Sequence, residues 1–341
     1  MEDGAVMHFK SLSLLLLPTL ALAAPPTDAQ LLETVQKRAT TLEEVTTKPV
    51  LMLNYVALLC GMPTDDELAE STNNPHLEKY SRLYVNKVGR AAAEGRETTH
   101  PAGTVLLKEK LPAKVDAQNK AEPGTEPELF TGMVKREKGF NPDCGDWEFF
   151  TVTGDMQKIA SRGKLANCID CHRRYKDRDF TSRLLVPKRE QEPAADGNIT
   201  LHSKDAWVLG KNLRYEPQPH KNTLGFWTVK EDTAHWDFKL PAGRYEVEVL
   251  QGCGKGSGGA EVALQFHALG NIVVEHMTQK FTVEDTGHFQ NFKPRVIGQI
   301  ETKSAGEFRL KVVPQTKPGV AVMDLRQVVL RPVSAAKPEK P

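Results

Sequence analysis

The stretch Cys168-Ile169-Asp170-Cys171-His172 is a C-x-x-C-H motif, and the interpretation of the whole chain depends on it. In c-type haem attachment, the two thiols of such a motif add to the vinyl groups at one edge of the porphyrin, and the histidine binds the iron as its proximal ligand. Two intervening residues let one turn of chain span both vinyl positions. The motif therefore predicts covalent haem c on Cys168 and Cys171, with the iron on His172.

Two other uses of a C-x-x-C pair remain open. The pair can be half of a zinc site, but the nearby sequence has no second C-x-x-C or histidine pair to complete four ligands. It can also be a thioredoxin-like redox pair, but that use needs a βαβ context that the flanking sequence does not supply. Haem attachment is the favoured interpretation.

Length, charge and cysteine content set limits on the rest of the chain. Its 341 residues are enough for two domains, each with its own core. The net charge is +1 with acidic and basic residues interspersed, so nothing favours nucleic acid as a partner. Beyond the motif remain Cys60, Cys144 and Cys253. A Cys60–Cys144 disulfide and three buried free thiols are both open.

The first 23 residues are typical of an export signal. Lys10 precedes an apolar run from Leu12 to Leu22, and Ala21-Leu22-Ala23 has the small-x-small pattern of a cleavage site. The run is too short for a membrane span. We therefore expect a signal peptide at 1–23, a lead-in at 24–48 and a periplasmic or secreted mature protein.

Five short pieces around the motif occur in a fixed order. They are GTVLLKEK at 103–110, GMVKR at 132–136, GDWEFF at 145–150, CIDCH at 168–172 and KDRDF at 176–180. As an ordered set they resemble the cytochrome P460 family, whose relatives include cytochrome c′-β, over a domain at 49–186. The resemblance implies a mostly antiparallel sheet with a few short helices, one c-type haem per subunit and a homodimer. Residue patterns alone predict a strand from Thr104 to Leu111, with Leu129 to Val134 as its antiparallel neighbour.

The family that the chain resembles contains two chemistries. P460 enzymes carry an additional lysine–porphyrin bond and oxidise hydroxylamine or nitric oxide, whereas cytochromes c′-β bind small gases at a five-coordinate iron lined by phenylalanines. The resemblance places Lys108 at the cross-linking, catalytic lysine, with Lys110 on the same strand face as a second candidate. A salt bridge from Lys108 to a haem propionate, or simple solvation, remains an alternative.

The stretch before the motif departs from one feature of P460 enzymes, some of which place a carboxylate there as a proton acceptor. Residues 156–167 contain no acidic residue, and the nearest one upstream is Asp155. This departure favours an apolar distal pocket, for which Phe149, Phe150 and Phe180 are the candidate lining. The expected partners are a small nitrogenous or gaseous ligand and a redox partner protein.

An electron-transfer cytochrome c is a further alternative, and it would need a sixth strong ligand, commonly methionine or histidine. The sequence offers Met133, Met156, His76 and His100, and their spacing does not single one out.

The chain changes character after a polar linker at 187–197. Short β-prone segments separated by turn signals recur from 198 to 334, before a tail at 335–341. Alternating apolar residues at 236–240 and 245–249 indicate strands with one buried face, as in an antiparallel β-sandwich. The predicted fold class is mainly β: an α+β haem domain followed by a β-sandwich or jelly roll.

The pattern W-x-F-x-L-P-x-G-x-Y-x-V at 236–247, with VMDLRQVVLRP at 322–332, resembles galactose-binding-like jelly rolls. Modules of this kind often bind carbohydrate, which makes polysaccharide an expected partner, and some hold a structural calcium ion. Asp324 is the candidate calcium ligand. Trp207, Trp227 and Trp236 are candidates for stacking on sugars, although Trp236 falls in the buried pattern.

Overall fold

A computed structural model describes residues 25–52, 78–115, 120–269 and 276–333. The predicted signal peptide, Cys60, His76 and the tail at 335–341 lie outside these ranges. Within the described ranges, no helix combines the length and the apolar character needed to cross a membrane.

Helices are few and short in the described chain. The α-helices are α1 Asp28–Gln36, α2 Arg38–Thr41, α3 Arg90–Ala93 and α4 Ala166–His172. Short 3-10 turns cover Lys87–Gly89, Pro142–Cys144, Arg173–Arg178 and Ser203–Asp205.

The N-terminal domain is built on one antiparallel sheet. Its strands are β1 Glu43–Glu44, β2 Val50–Met52, β3 Lys79–Val85, β4 Val105–Val115, β5 Ala121–Pro123, β6 Leu129–Lys135, β7 Trp147–Thr153 and β8 Ile159–Gly163. Their order is β1-β3-β4-β6-β7-β8, with β2 paired to β3 and β5 paired to β4. The predicted antiparallel pairing of the strand after Gly103 with the strand at Leu129 is confirmed, because Lys108 lies opposite Thr131.

The two faces of this sheet have different covers. Because side chains alternate along a strand, Leu106 and Lys108 lie on one face and Leu107 and Glu109 on the other. Helix α1 closes the second face, where its apolar residues pack against Leu107 and the aromatic rings of β6 and β7. The first face packs against the region of α4, which carries the C-x-x-C-H motif.

The C-terminal domain is a sandwich of two six-stranded sheets. Its strands are β9 Glu190–Gln191, β10 Ile199–His202, β11 Trp207–Leu209, β12 Arg214–Glu216, β13 Thr223–Gly225, β14 Thr233–Leu240, β15 Gly243–Cys253, β16 Glu261–Leu269, β17 His276–Thr282, β18 His288–Thr302, β19 Gly306–Pro314 and β20 Asp324–Pro332. One sheet has the order β12-β13-β20-β15-β18 with β10 on β20, and the other has β11-β14-β19-β16-β17 with β9 on β14. A single apolar cluster fills the space between them. The prediction of a mainly β chain is confirmed.

Main-chain hydrogen bonds join the two domains. The carbonyl oxygen of Gly95 accepts from the N–H of Val208 at 2.9 Å, and that of Arg96 accepts from Tyr215 at 2.8 Å. The predicted linker also takes part, because β9 pairs in parallel with β14. The sandwich is therefore held against the N-terminal domain by its backbone as well as by the covalent chain.

Candidate haem-binding site

Helix α4 places the three residues of the motif on one side. Cys168, Cys171 and His172 stand at positions i, i+3 and i+4, which share a helix face. Both cysteines are half-buried free thiols, and His172 is buried. The local geometry thus gathers two thiols and an imidazole, as covalent haem attachment needs.

The ring of His172 is held in the orientation of a metal ligand. Its Nδ1 lies 2.6 Å from the carbonyl oxygen of Phe180. A carbonyl can only accept, so Nδ1 carries the proton and Nε2 keeps a lone pair. Burial, together with the charge of Lys108, lowers the pKa of His172 to about 4, which keeps the ring neutral.

A cavity of about 440 Å³ lies between α4 and the first face of the sheet. Leu83, Leu106, Leu129, Met133 and Leu165 form apolar parts of its wall, and Thr131, Thr151 and Ser161 contribute hydroxyl groups. The nitrogen- and sulfur-bearing side chains on the wall include those of His100, Lys108, Cys168 and His172.

The residues present fit a c-type haem. The cavity has the size usual for small-molecule and cofactor sites, about 300–1,000 Å³. Its lining includes the thiol of Cys168 and the neutral imidazole of His172, whose Nε2 has a lone pair, and Cys171 lies near Lys108 on the same helix face. His100 also lines the cavity, and its Nε2 is buried without a hydrogen-bond partner in the described chain. A bound group with its own polar atoms would satisfy it.

The structure distinguishes the two candidate lysines. Lys108 lines the cavity, whereas Lys110 is fully buried and is not one of the described residues that line it. Burial lowers the pKa of Lys108. Burial, followed by the charges of Lys108 and Lys79, lowers the pKa of Lys110 to about 7. A lysine with a lowered pKa is more often a neutral amine, the nucleophilic form, and of the two Lys108 faces the cavity. Its cross-link stays a prediction.

The carboxylate that some P460 enzymes place near the motif has no counterpart on this wall. Among the described residues that line the cavity, none is aspartate or glutamate. Asp155 lies instead in the surface turn between β7 and β8, where its carboxylate accepts from Thr153 at 2.5 Å and from Gln157 at 3.1 Å.

The three candidate phenylalanines do not form a shared distal lining. The Phe149 ring centroid lies 5.2 Å from that of His172, so no porphyrin fits between them and Phe149 sits on the proximal side. Phe150 borders the cavity, but strand alternation puts its ring in the cluster under α1. Phe180 has a left-handed backbone (φ 60°), and its carbonyl oxygen, not its ring, serves the site. The prediction grouped Phe149 and Phe150, but their rings lie on opposite faces of the sheet.

The candidates for a sixth ligand also separate. Met156 lies on the α1 side of the sheet, where its Sδ accepts from Nη1 of Arg38 at 3.2 Å. Met133 and His100 line the cavity. His76 is outside the described residues.

Sequence reasoning missed the role of Asp179. Its carboxylate accepts from the backbone N–H of His100 at 2.7 Å, from Nδ1 of His100 at 3.0 Å and from Nζ of Lys135 at 2.6 Å. Asp179 and Phe180 both have left-handed backbones, at φ 50° and 60°. Two consecutive residues thus hold the two histidines of the cavity. The available signal was an aspartate in the KDRDF piece, since aspartate tolerates this conformation.

The candidate sugar-stacking tryptophans are inside the structure. Trp227 and Trp236 are 0% exposed, and their indole N–H groups donate to the carbonyl oxygens of Asp232 and His202. Trp207 is buried against the guanidinium group of Arg189, which lies 4.1 Å from its ring centroid. All three were expected as possible platforms and are core or junction residues.

The calcium prediction finds no support in the described chain. Burial, followed by the charge of Glu216, raises the pKa of Asp324 to about 7, and its carboxylate accepts from Gln290 at 3.3 Å. No group of three or more His, Cys, Asp or Glu side chains in the described ranges is arranged to hold an ion. Cys144 and Cys253 are buried, and neither forms a disulfide within the described ranges, which do not include Cys60.

Residues 64–182 match the family model of cytochrome P460. No curated protein matches the chain. The similar solved structures include a family 35 carbohydrate-binding module from Clostridium thermocellum, with 12% identity over 40% of this chain and 98% of that one, at a TM-score of 0.30. Another is a carbohydrate-binding module of Cellvibrio mixtus lichenase 5A in complex with cellotriose. It has 14% identity over 39% of this chain and 96% of that one, at a TM-score of 0.29. A third is a Podospora anserina GH26-CBM35 mannanase, with 12% identity over 42% of this chain at 0.29.

The chain spans 29% of the length of that mannanase. The C-terminal domain is identified as a β-sandwich from its own two sheets.

Proposed function

We propose that this chain, whose N-terminal region is a cytochrome P460 domain, is an exported c-type haem protein that binds or oxidises small nitrogen species such as hydroxylamine and nitric oxide. The observation that carries the proposal is the convergence of Cys168, His172 and Lys108 on one cavity, with Cys171 beside Lys108. Export, a redox partner protein and a homodimer belong to the same proposal and rest on the sequence.

A haem bound here would supply an iron centre for a small ligand. His172 would bind that iron through Nε2, with its ring fixed by the carbonyl oxygen of Phe180. Leucine and methionine side chains on the wall would limit the access of water. The hydroxyl groups of Thr131 and Thr151 could hydrogen-bond to a polar ligand.

Two features bear on the choice between binding and oxidation. Lys108 faces the cavity, as the lysine–porphyrin bond of P460 enzymes requires. Against oxidation stands the lack of a carboxylate among the described cavity residues, because hydroxylamine must lose protons when it is oxidised. Gas binding of the cytochrome c′-β kind is therefore the alternative within the family. A six-coordinate electron carrier is the alternative outside it, with Met133 and His100, which both line the cavity, as the candidate ligands.

The test is the ferrous absorption spectrum of the mature chain, made in a host that attaches haem c, with mass spectrometry of the haem peptide. A red-shifted Soret band indicates the Lys108 bond, and a five-coordinate spectrum without that shift indicates gas binding. A low-spin spectrum indicates electron transfer. A colourless product, or pigment that acid-acetone removes, would contradict covalent haem and end the proposal.

Polysaccharide binding by the sandwich is a second candidate, favoured by a groove of about 210 Å³ at the domain junction. Its lining includes Glu97, Lys211, Asn212, Arg214 and Phe226. Phe226 is 50% exposed, so an aromatic ring lies beside amide and charged groups, a combination suited to sugars. Binding of the full chain to insoluble polysaccharides should weaken in Phe226→Ala. Equal retention of both proteins on each polysaccharide would exclude this groove.

A further inference from the structure

His100 places a second imidazole on the wall of the cavity. Its side chain is 2% exposed, and both its backbone N–H and its Nδ1 are bonded to the same carboxylate oxygen of Asp179. Nδ1 carries a proton, because its partner is a carboxylate whose pKa is lowered. The remaining ring atom, Nε2, is buried and has no partner in the described chain. A buried polar atom of this kind requires an explanation, and an occupant of the cavity supplies one.

The surroundings of His100 favour an anionic occupant. Lys135 lies 2.6 Å from the other carboxylate oxygen of Asp179, and Arg183 is close enough to act on the charge of His100. Two positive charges therefore face one negative charge around this imidazole. The edge of the Trp147 ring packs on His100 with centroids 5.0 Å apart, and its indole N–H donates to the carbonyl oxygen of Asp179 at 2.8 Å. The corner is thus fixed as well as positively charged.

His100 cannot be the ligand opposite His172 while both histidines keep these bonds. With metal–nitrogen bonds of about 2 Å on each side, two imidazoles on opposite faces of one iron would put their Nδ1 acceptors about 12 Å apart or more. Those acceptors are the carbonyl oxygen of Phe180 and the carboxylate of Asp179. They belong to consecutive residues, whose Cα atoms are about 3.8 Å apart, so the two oxygens can be separated by about 10 Å at most.

We propose that Nε2 of His100 is hydrogen-bonded to a propionate carboxylate of the haem bound in this cavity. The inference rests on the proposed function, since it needs a haem on Cys168, Cys171 and His172. Burial lowers the pKa of His100, whereas a carboxylate beside Nε2 would favour the charged form of the ring. Haem propionates are carboxylates, and the protonated imidazole donates through both Nδ1 and Nε2. The bond would place His100 between two carboxylates. The propionate would also balance the excess positive charge of Lys135 and Arg183.

The experiment uses the full chain with haem attached and compares His100→Leu, His100→Gln and His220→Leu. His220→Leu is the matched control, because it makes the same substitution at an exposed histidine of the C-terminal domain. The readouts are the propionate bending band in the resonance Raman spectrum and the pH titration of the reduction potential. In His100→Leu we expect a shifted band and a propionate pKa raised by about one unit, a tenfold gain in proton affinity. His100→Gln, which keeps an N–H donor, should restore much of both, and His220→Leu should change neither.

An unchanged band and titration in His100→Leu would overturn the inference. So would a change of spin state in that variant, which would identify His100 as an iron ligand. If the Leu variant does not mature, the wild-type band in D₂O decides: a shift on deuteration supports the hydrogen bond, and none contradicts it. Covalent haem in the wild-type chain shows separately that the proposed function stands, whatever the fate of His100.

Discussion

At the scale of single residues, Lys108 and Lys110 stand only two positions apart but have different surroundings. Both were candidates because they share one face of β4. Lys108 lines the cavity, while Lys110 is fully buried and is not one of the described lining residues. Strand alternation predicts the shared face but not which of its residues borders the cavity.

We therefore expect Lys108→Arg to have an ordinary c-type ferrous spectrum if the wild-type lysine is bonded to the porphyrin. Arginine keeps the positive charge but stays protonated, so its guanidinium does not act as the amine nucleophile. Lys110→Arg is the control on the same strand face and should keep the wild-type Soret position. Absorption spectra of the three ferrous proteins provide the measurement. Coinciding spectra for the wild type and Lys108→Arg would dismiss the bond.

Asp324 gives the sandwich a predictable pH dependence. Its pKa is raised from 3.8 to about 7, first by burial and then by the charge of Glu216. The folded chain thus holds a proton that the unfolded chain has released between about pH 4 and 7, so stability falls as pH rises through this window.

Asp324→Asn should remove this dependence and stabilise the chain at pH 8 by at most about 4 kcal/mol, since the pKa rises from 3.8 to about 7 and one pKa unit corresponds to about 1.4 kcal/mol. Thermal unfolding at pH 5 and pH 8 measures it. Glu301→Gln, which alters an exposed carboxylate on β18, should follow the wild type. A variant as pH-sensitive as the wild type would rule out the role of Asp324.

At the scale of elements, the sheet separates stability from haem chemistry. Helix α1 packs Leu31 and Val35 on the face turned away from the cavity. Leu106 lies on the opposite face and lines the cavity. Two leucines, Leu31 in the core and Leu106 at the cavity, therefore lie on opposite sides of the same sheet.

Leu31→Ala should lower the free energy of unfolding by about 2–5 kcal/mol, because it leaves a hole in a packed core. It should leave the haem spectrum as it is. Leu106→Ala should change the binding of a small gas ligand, because it enlarges the cavity. Urea unfolding and ligand titration on both variants provide the comparison. An altered spectrum in Leu31→Ala would show that the two faces are coupled.

The elements also show what the sequence could predict. The β4–β6 pairing, the buried faces of the sandwich and the grouping of Cys168, Cys171 and His172 follow from local patterns, and the structure has all three. The ring positions of Phe149 and Phe180 do not follow, because they depend on strand alternation next to a helix and on a left-handed corner. The partnership of Asp179 with His100 joins residues 79 positions apart, which no local pattern reports.

At the scale of the whole molecule, Gly95 is a point of close approach at the domain junction. Its φ is +72°, and a Cβ there would lie 2.5 Å from the ring of Trp207. Gly95→Ala is therefore expected to loosen the sandwich and to speed proteolysis in the 187–197 linker. Gly103→Ala is the matched control, since Gly103 also has a positive φ (+86°) but nothing within 4 Å of its added Cβ. Equal cleavage rates for the two variants would contradict a junction held at Gly95.

The junction also lies within a segment that begins and ends on the cavity wall. Ala93 and His100 both line the cavity, and between them Gly95 and Arg96 are hydrogen-bonded to the sandwich. A pull on the sandwich, as when it adheres to an insoluble surface, would reach the cavity wall through the short backbone that joins Gly95 to Ala93 and Arg96 to His100. If the chain holds the proposed haem and binds a gas, its adsorption to a surface would change how fast a gas photolysed from the iron recombines.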